Sequence, residues 1–368
     1  MKLKGNSNNM DKIKCFFECL VPVTACNLKC EYCYVIQEKR NTGEITSLKY
    51  SPEQMKKIFS QRNIGGVAFF SLCGAGETFF HPELPSLVSN LIEAGHYINI
   101  TSNGTYSIGI DQLLQQLPKG KNDRLLVSFS LHYIELKRRN LLEVFANNVH
   151  KIQSSGCSIL VQFNLYDGYL PYLDEIKDFC LCQFGALPHV AATRDEESNT
   201  INLHTSLSKE EYYRIGEMYD SPLFRMTMSN FNHPHNEYCY AGLWSYVLDL
   251  GKGTIKPCYC NGPVYEISAF SKHKCAFPVG LKCKNKYCIN SSHFLSLGDI
   301  PTIFEDITYA KLRNRQTVSG GEWLQPAMKS LLSQKLYDNN KQLSFSMKAF
   351  YDIKHFAFRA RRKLHKLL

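Results

Sequence analysis

No apolar run in these 368 residues is long enough to cross a bilayer. Met1 to Lys14 is polar and Asn-rich, and the apolar stretch that follows is broken by Glu18 and Pro22, so a secretory signal is not expected either. The chain also lacks a repeat period, a collagen-like tract and a disordered composition, which leaves an ordinary globular protein, and its length suits one large and one smaller domain or two of similar size. A basic recognition module is missing as well. Most of the formal charge of +10 falls in the tail, where Lys341, Lys348, Lys354, Arg359, Arg361, Arg362, Lys363 and Lys366 face only Asp352. The remainder is close to neutral, which argues against a nucleic-acid partner.

Cysteine is plentiful. Fifteen cysteines in a large chain without a secretion signal point to metal or redox sites rather than a disulfide framework. The expected setting is therefore reducing and cytoplasmic. Cys26, Cys30 and Cys33 form CxxxCxxC directly after an apolar, β-branched stretch, Phe16 to Val23, that reads as a buried strand. Three thiolates on one loop bind three corners of a cubane iron-sulfur cluster, whereas an electron-carrying cluster is normally closed by four. An open metal position is a mark of chemistry.

Strand-like and helix-like segments alternate from there. The strands are expected at Phe16–Val23, Val67–Leu72, Tyr97–Thr101, Leu125–Leu131, Ile159–Leu165 and Pro188–Thr193. Between them lie helices opened by the Ser51 capping box, or spanning Pro82–Ala94, Asp111–Leu117, Leu141–Ser154 and Asp174–Phe184; a second capping box at Ser208 opens one more. Such alternation implies right-handed βαβ units and a parallel sheet. Active sites on parallel barrels lie at the C-terminal strand ends, and Cys26–Cys33, Gly74–Glu77 and Ser102–Gly104 all follow strands.

Cys26, Cys30 and Cys33, with the aromatic Tyr34 after the last cysteine, resemble the signature of the radical S-adenosylmethionine (SAM) enzymes. The resemblance implies an α/β fold, a partial (β/α)6 TIM-like barrel. It also implies a 4Fe-4S cluster whose open iron is chelated by SAM, and a one-electron donor such as flavodoxin or ferredoxin. Gly74, Gly76 and Glu77 resemble the family's GGE motif at the amino group of SAM, with Ala75 where glycine is commoner. Asn103 and Ser130 resemble its polar strand-end contacts to SAM, ahead of His132, which reads equally well as structural.

A second set of cysteines, at 239, 258, 260, 275, 283 and 288, follows the sixth strand. Trp244–Leu250 and Thr254–Pro257 flank Gly251-Lys252-Gly253 as a hairpin. This arrangement resembles the SPASM and Twitch extensions, which hold auxiliary 4Fe-4S clusters, although the spacing CxxCxxxxxCxxxC is absent. One auxiliary cluster is expected, on Cys239, Cys258, Cys283 and Cys288, with Cys260 or Cys275 as alternates and a zinc site as the competing reading. Cys15, Cys19, Cys73, Cys157, Cys180 and Cys182 are expected to be buried small hydrophobes.

The expected organisation is a barrel over 1–230, an auxiliary-cluster region over 231–300 with its cysteine-rich β-hairpin, and C-terminal helices over 301–368. Tyr309–Arg315 and Pro326–Tyr337 should be helical. Phe350, Ile353, Ala357, Ala360, Leu364 and Leu367 step along a basic amphipathic helix. That helix can pack against the body, or residues 344–368 can meet a membrane surface or an anionic carrier.

The resemblance implies hydrogen abstraction from a substrate, with net oxidation. The short stretch before the first strand and the incomplete cysteine set favour a small metabolite or glycosyl substrate. A peptide or protein maturase is the alternative, and a non-catalytic zinc-containing binding module is the alternative of another class.

Overall fold

The computed structural model describes residues 11–195, 202–259, 262–281, 283, 285, 288 and 291–364. All six expected barrel strands are present: β1 (Ile13–Val21), β2 (Val67–Gly74), β3 (Tyr97–Ser102), β4 (Leu125–Ser130), β5 (Ser158–Leu165) and β6 (His189–Ala192). Each pairs in parallel with its sequence neighbour. β7 (Arg194–Asp195) and β8 (Asn202–Leu203) form a separate antiparallel pair. The expected hairpin is β9 (Ser245–Asp249) and β10 (Thr254–Lys256), followed by β11 (Tyr265–Glu266). β9 lies parallel to β1, with Phe16 opposite Ser245, so the hairpin extends the barrel sheet in the order β11-β10-β9-β1-β2-β3-β4-β5-β6. The parallel sheet expected from the alternation and the α/β partial barrel implied by the resemblance are the fold observed.

The two faces of the strands carry different chemistry, as the two-residue side-chain period requires. On one face Phe17, Phe70, Ile98, Val127 and Val161 pack in a core with the helices. On the other, Phe16, Phe69, Tyr97, Leu126 and Leu160 meet Trp244, Phe294, Tyr309, Met328 and Leu331 from the C-terminal segments. Burying each of these rings or branched chains is worth roughly 1.5–3 kcal/mol. The C-terminal segments therefore plug the interior of the curled sheet on its strand-start side.

Two expectations are corrected. Pro326–Tyr337 is two helices, Pro326–Leu332 and Leu336–Asn339. The break is at buried Lys335, whose ammonium donates to the carbonyls of Ser296 and Phe304 at 2.9 and 3.0 Å and so pulls the backbone out of the helix. Cys182 is exposed, because it stands two places after buried Cys180 on one helix and points the other way. In the terminal helix Phe345–Leu364, Phe350 and Ile353 are exposed together with Phe356, while His355 is buried and meets the Pro278 carbonyl. Leu367 lies outside the described residues. No described helix is long and apolar enough to cross a membrane.

Candidate active site

A cavity of ≈ 630 Å³ opens at the C-terminal ends of the barrel strands. Cys26, Cys30, Cys33, Tyr34, Gly74 and Gly76 line it, as do Glu77, Asn103, Ser130 and His132. Segments separated by up to a hundred residues in sequence thus share one wall.

The cysteine loop is clamped by the chain leaving β2. The Gly76 amide donates to the Val23 carbonyl (2.9 Å) and the Glu77 amide to the Ala25 carbonyl (2.8 Å). A Cβ on Gly76 would stand 2.0 Å from the Ala25 carbonyl oxygen, and one on Gly74 would stand 2.3 Å from Val23 Cγ1. Neither glycine has positive φ. Close backbone approach, not left-handed conformation, is what glycine provides here.

Glu77 is 1% exposed. It accepts from Ser102 Oγ (2.7 Å), the Asn103 amide (2.8 Å) and the Phe79 amide (3.1 Å). Burial raises its carboxyl above the usual range, and these donors pull it part of the way back. Three of its roughly four lone-pair directions are taken by protein, so Glu77 ties the end of β2 to the end of β3 while still lining the cavity. Asn103 continues the tie to the cysteine loop: its Nδ2 donates to Asn27 Oδ1 (2.9 Å) and contacts Cys26 Sγ (3.7 Å).

Burial pushes the Cys30 thiol well up, with Cys33 and then Cys26 adding to the effect, and burial also raises Cys26. Clustered, desolvated thiols resist ionisation unless a cation compensates them, and an iron-sulfur core is such a cation. The donor set therefore fits a cubane held at three corners. His132 Nδ1 meets the Tyr32 hydroxyl at 2.6 Å, and burial holds the imidazole down at about 4, neutral at physiological pH. It serves as a structural partner of the loop tyrosine.

Below the rim the barrel interior is polar, which the motifs did not reveal. Glu18, Ser71, Asn99, Gln162 and His189 each stand three places before the last residue of their strand, and Ser128 stands two. Ser128 Oγ donates to Asn99 Oδ1 (2.7 Å), and Asn99 Nδ2 donates to Ser71 Oγ (3.2 Å). A polar residue at nearly matching depth in each strand is a signal that sequence reading could have used. His293, paired with Glu18 at 3.1 Å, and Arg313 come from the C-terminal segments and carried no such signal. Cys73, expected to be a buried hydrophobe, lines this cavity at the end of β2.

Cys239, Cys258, Cys283 and Cys288 line a second, smaller cavity of ≈ 40 Å³ with His235 and Glu237. Cys239 is raised by burial first, then by Asp299, Cys258 and Cys288. Cys275 lies elsewhere, in the same apolar core as Ile267 and Phe270, and Cys260 falls outside the described residues. Among the described residues no three His, Cys, Asp or Glu side chains group closely enough to hold a single metal ion.

Parallel strands, a cavity at their C-terminal ends and a three-cysteine loop on its wall define a barrel built for chemistry at the strand ends. Residues 20–169 match the family model described as the Radical SAM superfamily. Among solved structures, Streptococcus suis SuiB bound to S-adenosylmethionine has a TM-score of 0.50 and 17% identity, over 71% of this chain and 64% of that one. The chain thus spans somewhat under two thirds of the length of SuiB. Native anSMEcpe with bound AdoMet gives 0.45 and 13%, over 66% and 74% of the two chains. BtrN in complex with AdoMet and 2-DOIA gives 0.34 and 14%, over 72% and 77%. A search of curated proteins found no match in sequence.

Proposed function

We propose that this protein is a radical SAM enzyme acting on a polar small-metabolite or glycosyl substrate. The observation that carries the reading is the convergence of Cys26, Cys30 and Cys33 with Gly74, Gly76, Glu77, Asn103 and Ser130 on one cavity. With a 4Fe-4S cluster and SAM bound, the chemistry supplied is one-electron cleavage of SAM to methionine and a 5'-deoxyadenosyl radical, which takes a hydrogen atom from the substrate. The three thiolates would hold the cluster and leave one position open. Glu77 and the backbone at Gly74–Gly76 would orient the methionyl amino group, by charge-assisted hydrogen bonding. Tyr34, Asn103 and Ser130 would bound the rest of SAM. The amides and hydroxyls of Asn99, Ser128, Gln162 and Asn164 line the space below and suit a polar substrate better than an apolar one.

Cys239, Cys258, Cys283 and Cys288 would hold one auxiliary 4Fe-4S cluster, since all four line the second cavity. Residues 344–368 would give contact with an anionic surface, a reading supported by exposed Phe350, Ile353 and Phe356. A small one-electron carrier, flavodoxin or ferredoxin, would supply the reductant.

The test is anaerobic reconstitution with iron and sulfide, then SAM and dithionite, with 5'-deoxyadenosine measured for wild type and for Cys26→Ala/Cys30→Ala/Cys33→Ala. Product from wild type alone, with about eight irons per chain from two cubanes, is the expected outcome. Zinc without iron, and no cleavage, would replace the enzyme by a structural metalloprotein.

A further inference from the structure

Arg313 ends the helix Tyr309–Arg313 and lines the same cavity as the cysteine loop. It is 4% exposed, so its charge has been taken almost wholly out of water. A buried guanidinium is costly unless an anion or a full set of acceptors compensates it. Here both of its hydrogen bonds leave from Nη2, to Ser292 Oγ (3.2 Å) and His293 Nε2 (3.3 Å), and Nε is buried with no partner. Arginine can only donate, so His293 accepts at Nε2 and carries its proton on Nδ1, facing Glu18 at 3.1 Å. Glu18 faces the other ring nitrogen of His293. The ring of Tyr309, 4.6 Å from the guanidinium carbon, holds the cation in place.

A second buried hydroxyl belongs to a residue that lines the same cavity. Thr193, directly after β6, is 1% exposed, lines the cavity, and has a buried Oγ1 with no partner. Arg313 Nε and Thr193 Oγ1 are thus buried polar atoms, on residues that line one cavity, without a hydrogen bond of ordinary geometry, although the Tyr212 hydroxyl lies beside Thr193. This pattern is left when a ligand supplies the missing acceptors.

We propose that Arg313 anchors a carboxylate of the substrate, with Thr193 as a further donor to the bound molecule. Lys29 and Arg194 also line the cavity, but Arg313 is the most deeply buried of its cations, and the planar guanidinium fits a carboxylate in two-point contact. The inference rests on the proposed radical SAM reading for the role of the cavity, and it narrows the substrate class to carboxylic acids.

The same chemistry could be met by the methionyl carboxylate of SAM, so the experiment separates the two. Melting of the anaerobically reconstituted protein is followed in acetate, succinate and inorganic phosphate, each against chloride at equal ionic strength. SAM affinity is measured in parallel for wild type, Arg313→Met and Arg313→Lys. The expected result is a saturable upward shift of wild-type Tm by the carboxylates, lost in Arg313→Met and partly kept in Arg313→Lys, with SAM affinity unchanged throughout. A carboxylate shift without any SAM binding would unseat the proposed function and leave the Arg313 site standing. Four results would overturn the assignment: no carboxylate shift beyond chloride, a larger shift with phosphate, loss of SAM affinity in Arg313→Met, or a marked fall of that variant's Tm in chloride, which would make the guanidinium a structural brace.

Discussion

Cys26, Cys30 and Cys33 reach their cavity from one loop of eight residues, whereas Cys239, Cys258, Cys283 and Cys288 reach theirs from a stretch of fifty. The first loop is gripped by the ends of β2 and β3 through Gly76, Glu77 and Asn103. The second set depends on pairing between 239–242 and 277–280: Cys239 and Gly280 exchange amide hydrogen bonds of 3.2 and 2.9 Å, and the Val279 amide donates to the Ala241 carbonyl at 2.8 Å. A short loop on a sheet end is prepared by local sequence. A site closed by distant segments needs the whole post-barrel chain in place first.

The strongest way to break this comparison is Gly76→Ala. Its Cβ would strike the Ala25 backbone at 2.0 Å, so the cysteine loop must shift. The expected cost is about 3 kcal/mol or more in denaturant unfolding, with loss of 5'-deoxyadenosine formation, while iron bound through the second set is retained. Equal loss of both would mean that the two sites are not independent.

Acid provides a second contrast. His96 is fully buried, accepts from the Ala68 amide at Nδ1 (3.1 Å) and meets the Phe59 carbonyl at Nε2 (2.6 Å). Burial lowers it to about 4. Between its ordinary value near 6.5 and about 4, the unfolded chain takes up a proton that the folded chain refuses. Stability is therefore complete above pH 6.5 and falls as pH drops through that window, by on the order of 3 kcal/mol. His96→Gln is expected to flatten this dependence by about one proton in urea titrations across pH 4–7; an unchanged slope would remove His96 as its source.

Cys239→Ser sharpens the contrast from the other side. Iron should fall by about four per chain, while SAM cleavage by the first site persists. Loss of cleavage would mean that the barrel site depends on the second. The smallest effect is expected from Phe350→Ser with Ile353→Ser. Both side chains are more than half exposed, so the unfolding midpoint should move by less than about 0.5 kcal/mol. Reduced sedimentation of that variant with anionic vesicles, compared with wild type, would support surface contact by the tail, and equal sedimentation would end that reading.

Much of the barrel was legible because its signals are local. CxxxCxxC, the polar strand ends and the two capping boxes at Ser51 and Ser208 lie within a few residues of one another, and the capping boxes are present as expected. The interior was less legible. Asn99 and Ser128 look like stray polar residues until the curled sheet sets them side by side, and Cys73 looks like any strand cysteine until β2 ends at the cavity. The terminal helix stayed open for a related reason: a stripe at steps of three and four says that one face is apolar, not whether the face is covered.

By itself the sequence determined the order of strands and helices, the rim on which Cys26–Cys33, Gly74–Glu77 and Asn103 would stand, and the hairpin after the barrel. Backbone period, turn chemistry and motif spacing act over a few residues, so they can be read from a string. Only the tertiary structure decided that β9 would join β1, that Cys275 would leave the second set of cysteines, and that Arg313 would be buried beside Ser292 and His293. Those outcomes depend on which distant surfaces bury the most apolar area together, and no local pattern records that competition.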